Sequence, residues 1–127
     1  MSVCRMSRVL VVDDEPQIRR ALSLNLHARG YEVLEAITGQ AALAAVKADH
    51  PDIVLLDLGL PDMDGMVVLE SLREWSDVAV IVLTVRDDER SKVEALDAGA
   101  DDYVTKPFDM ADLAERIAAV FLRHAAT

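Results

Sequence analysis

Apolar residues along the chain follow two rhythms. Short runs at Val9–Val12, Ile53–Leu56 and Val78–Leu83 are apolar at every position, as strands covered on both faces are. Between them, apolar residues return every three or four positions, the period of a helix with one buried face. The first strand is predicted over Arg8–Asp13 and the first helix from Glu15 to Arg29. Pro16 suits that helix's first turn, Ile18, Leu22 and Leu26 share a face, and Gly30 ends it. "YEVLEA" (31–36) alternates as a second strand, and Thr38 caps a helix carrying Leu43 and Val46. "PDIVLLD" (51–57) is a third strand that ends in a carboxylate. After the loop "LGLPDMDG" a helix runs through Val68, Leu69 and Leu72. The fourth strand is "VAVIVLT" (78–84), and the fourth helix spans about 87–98, stopped by Gly99. "DDYVTKPF" (101–108) holds a short strand closed by Pro107, and Leu113, Ile117, Val120 and Phe121 mark the last helix.

Strands alternating with helices over short connections predict an α/β fold: a doubly wound five-stranded parallel sheet with right-handed crossovers and five helices. The 127 residues suffice for one core. Residues 1–7 read as a tail and 8–124 as the domain, with 125–127 the start of a linker or the end of the chain. Composition narrows the partners. Thirteen Lys and Arg against 23 Asp and Glu leave a net charge of -10, which repels phosphate backbones and argues against direct nucleic-acid binding. The single cysteine, Cys4, excludes a disulfide within the chain and suits the cytoplasm. No apolar run approaches a membrane span.

Sheets of this kind bind ligands at the carboxyl ends of their strands. Four predicted strand ends carry polar residues: Asp13 with Asp14, Asp57, Thr84 and Lys106. If the first and third strands are neighbours, each pair of carboxylates about 4 Å apart repels by roughly 4 kcal/mol at an effective dielectric near 20. Lys106 supplies one positive charge and leaves a deficit. A hard divalent cation removes it, and Mg2+ prefers a few carboxylates together with water and phosphate oxygens. Asp57 can then attack a phosphoryl group, with Lys106 and the Thr84 hydroxyl meeting its oxygens. Singly, each residue has a plainer role: Asp14 a helix cap, Thr84 a turn, Lys106 a solvated cation. Their convergence on one sheet edge favours a site. His27, His50 and His124 lack metal-ligand spacing and read as surface residues.

"VVDDE", "LLDLGLPDMDG", "VIVLT" and "GADDYVTKPF", in this order and spacing, resemble the receiver domain of bacterial two-component response regulators. The resemblance runs from Arg8 to Arg123, and "DDY…KPF" is similar to the class whose receivers precede a winged-helix DNA-binding domain. It implies strand order 2-1-3-4-5 and makes 8–124 a receiver domain. It further implies that Asp57 accepts a phosphoryl group from a sensor histidine kinase. Asp14 and Asp57 would bind Mg2+ directly, Asp13 through water, and Gly59 through its backbone carbonyl. Lys106 would pair with the phosphoryl group and Thr84 would move to bond it. Tyr103 would change rotamer, and Lys106–Pro107 would be a cis peptide. The resemblance also implies an activated homodimer through the fourth helix, fifth strand and fifth helix. It suggests Lys92–Asp112, Asp101–Arg123 and Asp102–Arg116 as pairs between subunits, with Asp97 lacking its usual partner because Ala118 stands there. Asp112 and Arg116, four apart on one helix, can also pair with each other.

Two positions depart from the family pattern: Val85 follows Thr84 where a small residue is usual, and Gly59 has no side chain. Both bear on the lifetime of a phosphorylated form. No turnover enzyme is expected. An Asp-nucleophile phosphohydrolase needs a second Asp two residues on, where Gly59 stands, and Asp62 and Asp64 have that spacing only within a loop. A flavodoxin-like cofactor binder needs a glycine-rich phosphate loop where "DDEPQ" stands. A stand-alone receiver acting through protein contacts is the remaining alternative.

Overall fold

A computed structural model describes residues 7–125; Cys4 and most of the expected tail lie outside them. The elements alternate in chain order: β1 (Arg8–Val12), α1 (Pro16–Ala28), β2 (Glu32–Ala36), α2 (Gly39–Asp49), β3 (Ile53–Leu56), α3 (Gly65–Arg73), β4 (Ala79–Thr84), α4 (Glu89–Asp97), β5 (Asp102–Thr105) and α5 (Met110–Ala125). The strands form one parallel sheet in the order β2-β1-β3-β4-β5. Each strand or helix falls within a few residues of its sequence-based position. The last helix reaches Ala125, one residue into the segment expected as linker.

The unbroken apolar runs are divided between two faces by strand pleating. Val9 and Val11, Ile53 and Leu55, and Ala79, Ile81 and Leu83 face one side, where Leu22 and Leu26 of α1 and Leu113, Ile117 and Val120 of α5 cover them. Leu10 and Val12, Val54 and Leu56, and Val80 face the other side, under Ala42 and Val46 of α2 and Val68, Leu69 and Leu72 of α3. A smaller cluster joins Val82 and Leu58 to Ala95 of α4 and the Tyr103 ring. Each fully buried Leu, Ile or Val side chain contributes roughly 1.5–3 kcal/mol. Two cores thus clamp the central strands and make their carboxyl ends a rigid edge.

Helix starts follow local chemistry. The hydroxyl of Thr38 accepts from Ala41 N, and the carboxylates of Asp64 and Asp88 accept from Met66 N and Ser91 N. After α1 and α4 the chain turns through Gly30 at φ +94° and Gly99 at φ +111°, a region that a side chain disfavours. Helix α2 ends differently: His50 itself takes φ +48°, which no glycine announces in the sequence.

Candidate functional site

Backbone bonding carries the ladder one residue beyond the strands and so fixes where the polar side chains start. Asp13 N donates to Ala36 O (3.1 Å), Asp57 N to Val12 O (3.0 Å), and Lys106 N to Thr84 O (2.7 Å). These links tie the end of β1 to β2, of β3 to β1 and of β5 to β4, and the pairing of β3 with β4 completes the row. Asp13, Asp57 and Thr84 are buried and Asp14 is exposed. One carboxylate oxygen from each of Asp13, Asp14 and Asp57 lies within 4.8 Å of the others. The assumption that the first and third strands are neighbours holds in the sheet.

The Lys106 ammonium is almost fully enclosed. It donates to Asp13 Oδ2 at 2.6 Å, and stands 3.5 Å from Asp57 Oδ2 and 3.6 Å from Glu15 Oε1. Burial alone would depress its pKa. The hydrogen bond and charge of Asp13, with the charges of Asp57 and Glu15, outweigh burial and hold it above the usual lysine value. Burial raises the Asp57 carboxyl, against the opposing pull of Lys106 and of Gly59 N. One buried cation therefore meets several carboxylates and is committed first to Asp13. The all-oxygen donor set and the charge deficit on the Asp14–Asp57 side fit a small hard cation such as Mg2+.

An open pocket of about 280 Å³ lies over this cluster, with Thr84, Val85, Arg86 and Gly59 in its wall. A larger hollow of about 440 Å³ around Trp75 and His50 sits at the opposite sheet edge. Charge convergence, not size, distinguishes the smaller one. Thr84 Oγ1 accepts from Arg86 N at 3.3 Å, which leaves its own hydrogen available to a new acceptor. The Tyr103 hydroxyl donates to Arg86 O at 2.7 Å, which turns the ring inward. The Lys106–Pro107 bond is cis.

Two participants escaped the sequence reading. Glu15 was read as a helix start, yet it caps α1 without a side-chain bond and faces Lys106. The Arg86 guanidinium pairs with Asp64 at 3.0 Å and reaches Leu58 O at 3.4 Å. The only advance signal was a cation two residues beyond the predicted strand end.

The residues expected at a subunit interface are mostly engaged within this one chain. Arg116 bonds both oxygens of Asp102 (3.1 and 3.0 Å) and Asp112 Oδ2 (3.0 Å). Asp101 accepts from Val80 N (2.8 Å) and lies 3.1 Å from His124 Nε2 and 3.7 Å from Arg73. Arg123 donates to the Asp101 carbonyl rather than to its carboxylate. His124, read from the sequence as a plain surface residue, is part of this group. Docking α5 beside β5 brings these groups together. Lys92 and Asp97 are exposed on α4 and form no ion pair among the described residues.

The profile of the response regulator receiver domain matches residues 9–118. The finer resemblance of "DLGLPD" and "LREWS…VIVLT" is to the Kdp regulators. The transcriptional regulatory protein KdpE of Mycobacterium tuberculosis is 57% identical over 121 residues, covering 95% of this chain and 54% of that protein. The KDP operon transcriptional regulatory protein KdpE of Escherichia coli is 48% identical, covering 96% and 54%. The chain thus spans about half the length of these relatives. Among solved structures, a CheY-like receiver domain protein from Methanospirillum hungatei superposes with a TM-score of 0.91 at 32% identity, covering 96% and 98% of the two chains.

Proposed function

We propose that this chain, which belongs to the response regulator receiver family, accepts a phosphoryl group on Asp57 from a sensor histidine kinase in a Mg2+-dependent step. The chain is the receiver part of a two-component response regulator homologous to KdpE. The observation that carries the proposal is the buried Asp57 carboxylate, held within reach of Lys106 and clustered with Asp13 and Asp14.

In the step proposed, an Asp57 oxygen attacks phosphorus. The new O–P bond forms as the P–N bond to the donor imidazole breaks, and the imidazole leaves with the electron pair. Bound Mg2+, held by Asp14, Asp57 and the Gly59 carbonyl and by Asp13 through water, would offset charge on the phosphoryl oxygens. Lys106 turns from Asp13 toward the added charge, and Thr84 gives its free hydroxyl hydrogen to a phosphoryl oxygen. That movement withdraws Thr84 from Arg86 N, and Tyr103 is bonded to the same residue. The β4–α4 loop is then the bistable element biased by phosphorylation. The output is a homodimer through α4, β5 and α5 that directs a winged-helix domain outside this chain, acting on transcription in the cytoplasm. The receiver occupies 8–124 and turns over no substrate beyond its own phosphoryl group.

Incubation with acetyl phosphate, followed by intact mass measurement, tests the reading. Mass should increase by one phosphoryl group with Mg2+ present and not in EDTA. Full phosphorylation of Asp57→Asn would remove Asp57 as the acceptor.

A further inference from the structure

Gly59 lines the acidic pocket, yet nothing lies within 4 Å of where its Cβ would stand. With no side chain to pack, Gly59 takes its place from its own amide, which donates to Asp57 Oδ1 at 3.3 Å, and from the loop that carries it. The base of that loop is closed by Gly65 N donating to Leu58 O (2.8 Å) and by an antiparallel bridge between Gly59 and Asp64. Its tip is held from elsewhere. Asp62 Oδ1 accepts from Gly39 N at 2.8 Å and Oδ2 from Gln40 N at 3.0 Å, the first two amides of α2. Among the described residues, every hydrogen bond tying positions 60–63 to another element comes from Asp62. Beside it, the Met63 side chain occupies the place where a Cβ on Gly39 would stand, 2.6 Å from Met63 Cγ. The two amide bonds hold the Asp62 carboxyl below the usual carboxylate range, so the anchor persists throughout the neutral range.

We infer that Asp62 is a positioning residue for the divalent cation: by pinning the tip of the β3–α3 loop to the start of α2, it holds Gly59 in place at the acidic cluster. The inference rests on the phosphoacceptor reading and adds to it a part that lies outside the pocket. Asp62 touches neither the cation nor the phosphoryl group. It acts through the loop, as groups that orient metal ligands do. Thr38 caps the same helix from its own side, with Oγ1 3.0 Å from Ala41 N, and makes no hydrogen bond to the loop among the described residues. Removing either residue weakens the start of α2, but only removing Asp62 takes away the hydrogen bonds that tie the loop tip to α2.

Mg2+ affinity of the parent, Asp62→Ala and Thr38→Ala, measured calorimetrically beside thermal unfolding, separates the two effects. Both variants should unfold at lower temperature than the parent. Asp62→Ala should bind Mg2+ about tenfold more weakly, and Thr38→Ala should bind it as the parent does. Asp62→Asn keeps one acceptor oxygen and should lose part of that affinity, less than Asp62→Ala does; it carries the comparison if Asp62→Ala folds poorly. Parent-like affinity in both Asp62 variants, or an equal loss in Thr38→Ala, overturns the inference and leaves the phosphoacceptor reading standing. A parent protein that binds no Mg2+ overturns both.

Discussion

The Lys106 ammonium donates to Asp13 at 2.6 Å and is 3.5 Å from Asp57. Its nearest resting partner is therefore Asp13 rather than the proposed acceptor. Removing one member of a buried ion pair costs about 3–5 kcal/mol, because the other charge is left uncompensated. Lys106→Met should lower the unfolding free energy in EDTA by about 3 kcal/mol. Mg2+ should restore part of that loss, since a ligand of the folded state stabilises it by mass action. Urea unfolding with and without Mg2+ checks both statements. Unchanged stability in EDTA would show that the carboxylates find their counter-charge elsewhere.

Burial holds the Asp57 carboxyl above its ordinary pKa, so the folded state binds that proton more tightly than the unfolded chain. The resulting stability is fully present below about pH 4, the ordinary carboxylate pKa. It is lost as pH rises through the folded-state value. At neutral pH the ionised group costs stability. Asp57→Asn should therefore be more stable than the parent in EDTA at pH 7, by on the order of 1 kcal/mol. The difference should shrink as pH falls toward 4. Thermal unfolding from pH 8 to 4 reads the trend, and a difference that grows toward acid would contradict it. Mg2+ should narrow the gap by stabilising only the parent.

The central strands were legible because residues buried on both faces leave unbroken apolar runs, and Asp13, Asp57 and Thr84 because they follow those runs directly. Thr38 was legible as a cap because its partner, Ala41, is three residues away. Strand order was a different matter: it came from resemblance, since periodicity says nothing about which strands are neighbours. Contacts between distant segments were also hidden. Asp62 meets Gly39 across 23 positions and Arg86 meets Asp64 across 22, and no local pattern marks either pair. Arg116 shows both cases at once. Helical spacing suggested Asp112, whereas Asp102 becomes a partner only when α5 lies beside β5.

Val85 lines the pocket but is 69% exposed, which places its methyl groups at the mouth rather than against the carboxylates. From there they would shield the proposed aspartyl phosphate from water. Val85→Ala should speed spontaneous loss of the phosphoryl group by a few-fold, about twofold to fivefold, through easier water entry. Mg2+ affinity should not change. Decay of the phosphorylated species, followed by intact mass, gives the lifetime. Equal lifetimes would show that the valine does not limit water access.

The proposed dimer face combines exposed apolar residues, Val93 and Leu96 on α4 and Leu122 on α5, with the charges of Lys92, Asp97, Asp112 and Arg123. Exposed ion pairs contribute only about 0–1 kcal/mol each, so the apolar residues supply the affinity and the charges select the partner. An isologous interface makes every contact twice, and reversing one charge creates two repulsive contacts. Arg116 is a poor place to reverse charge. Within the chain it already bonds Asp102 and Asp112, and Arg116→Glu would set three carboxylates together and loosen α5 before any dimer formed. Lys92 has no ion pair among the described residues. Lys92→Glu should keep the parent's stability and phosphorylation while abolishing the activated dimer, because it would oppose Asp112 of the second subunit. Arg116→Glu should lose the dimer and unfold at lower temperature as well. Sedimentation with beryllofluoride and Mg2+, paired with thermal unfolding, distinguishes the two variants. A Lys92→Glu protein that dimerises as strongly as the parent would place the assembly on another face.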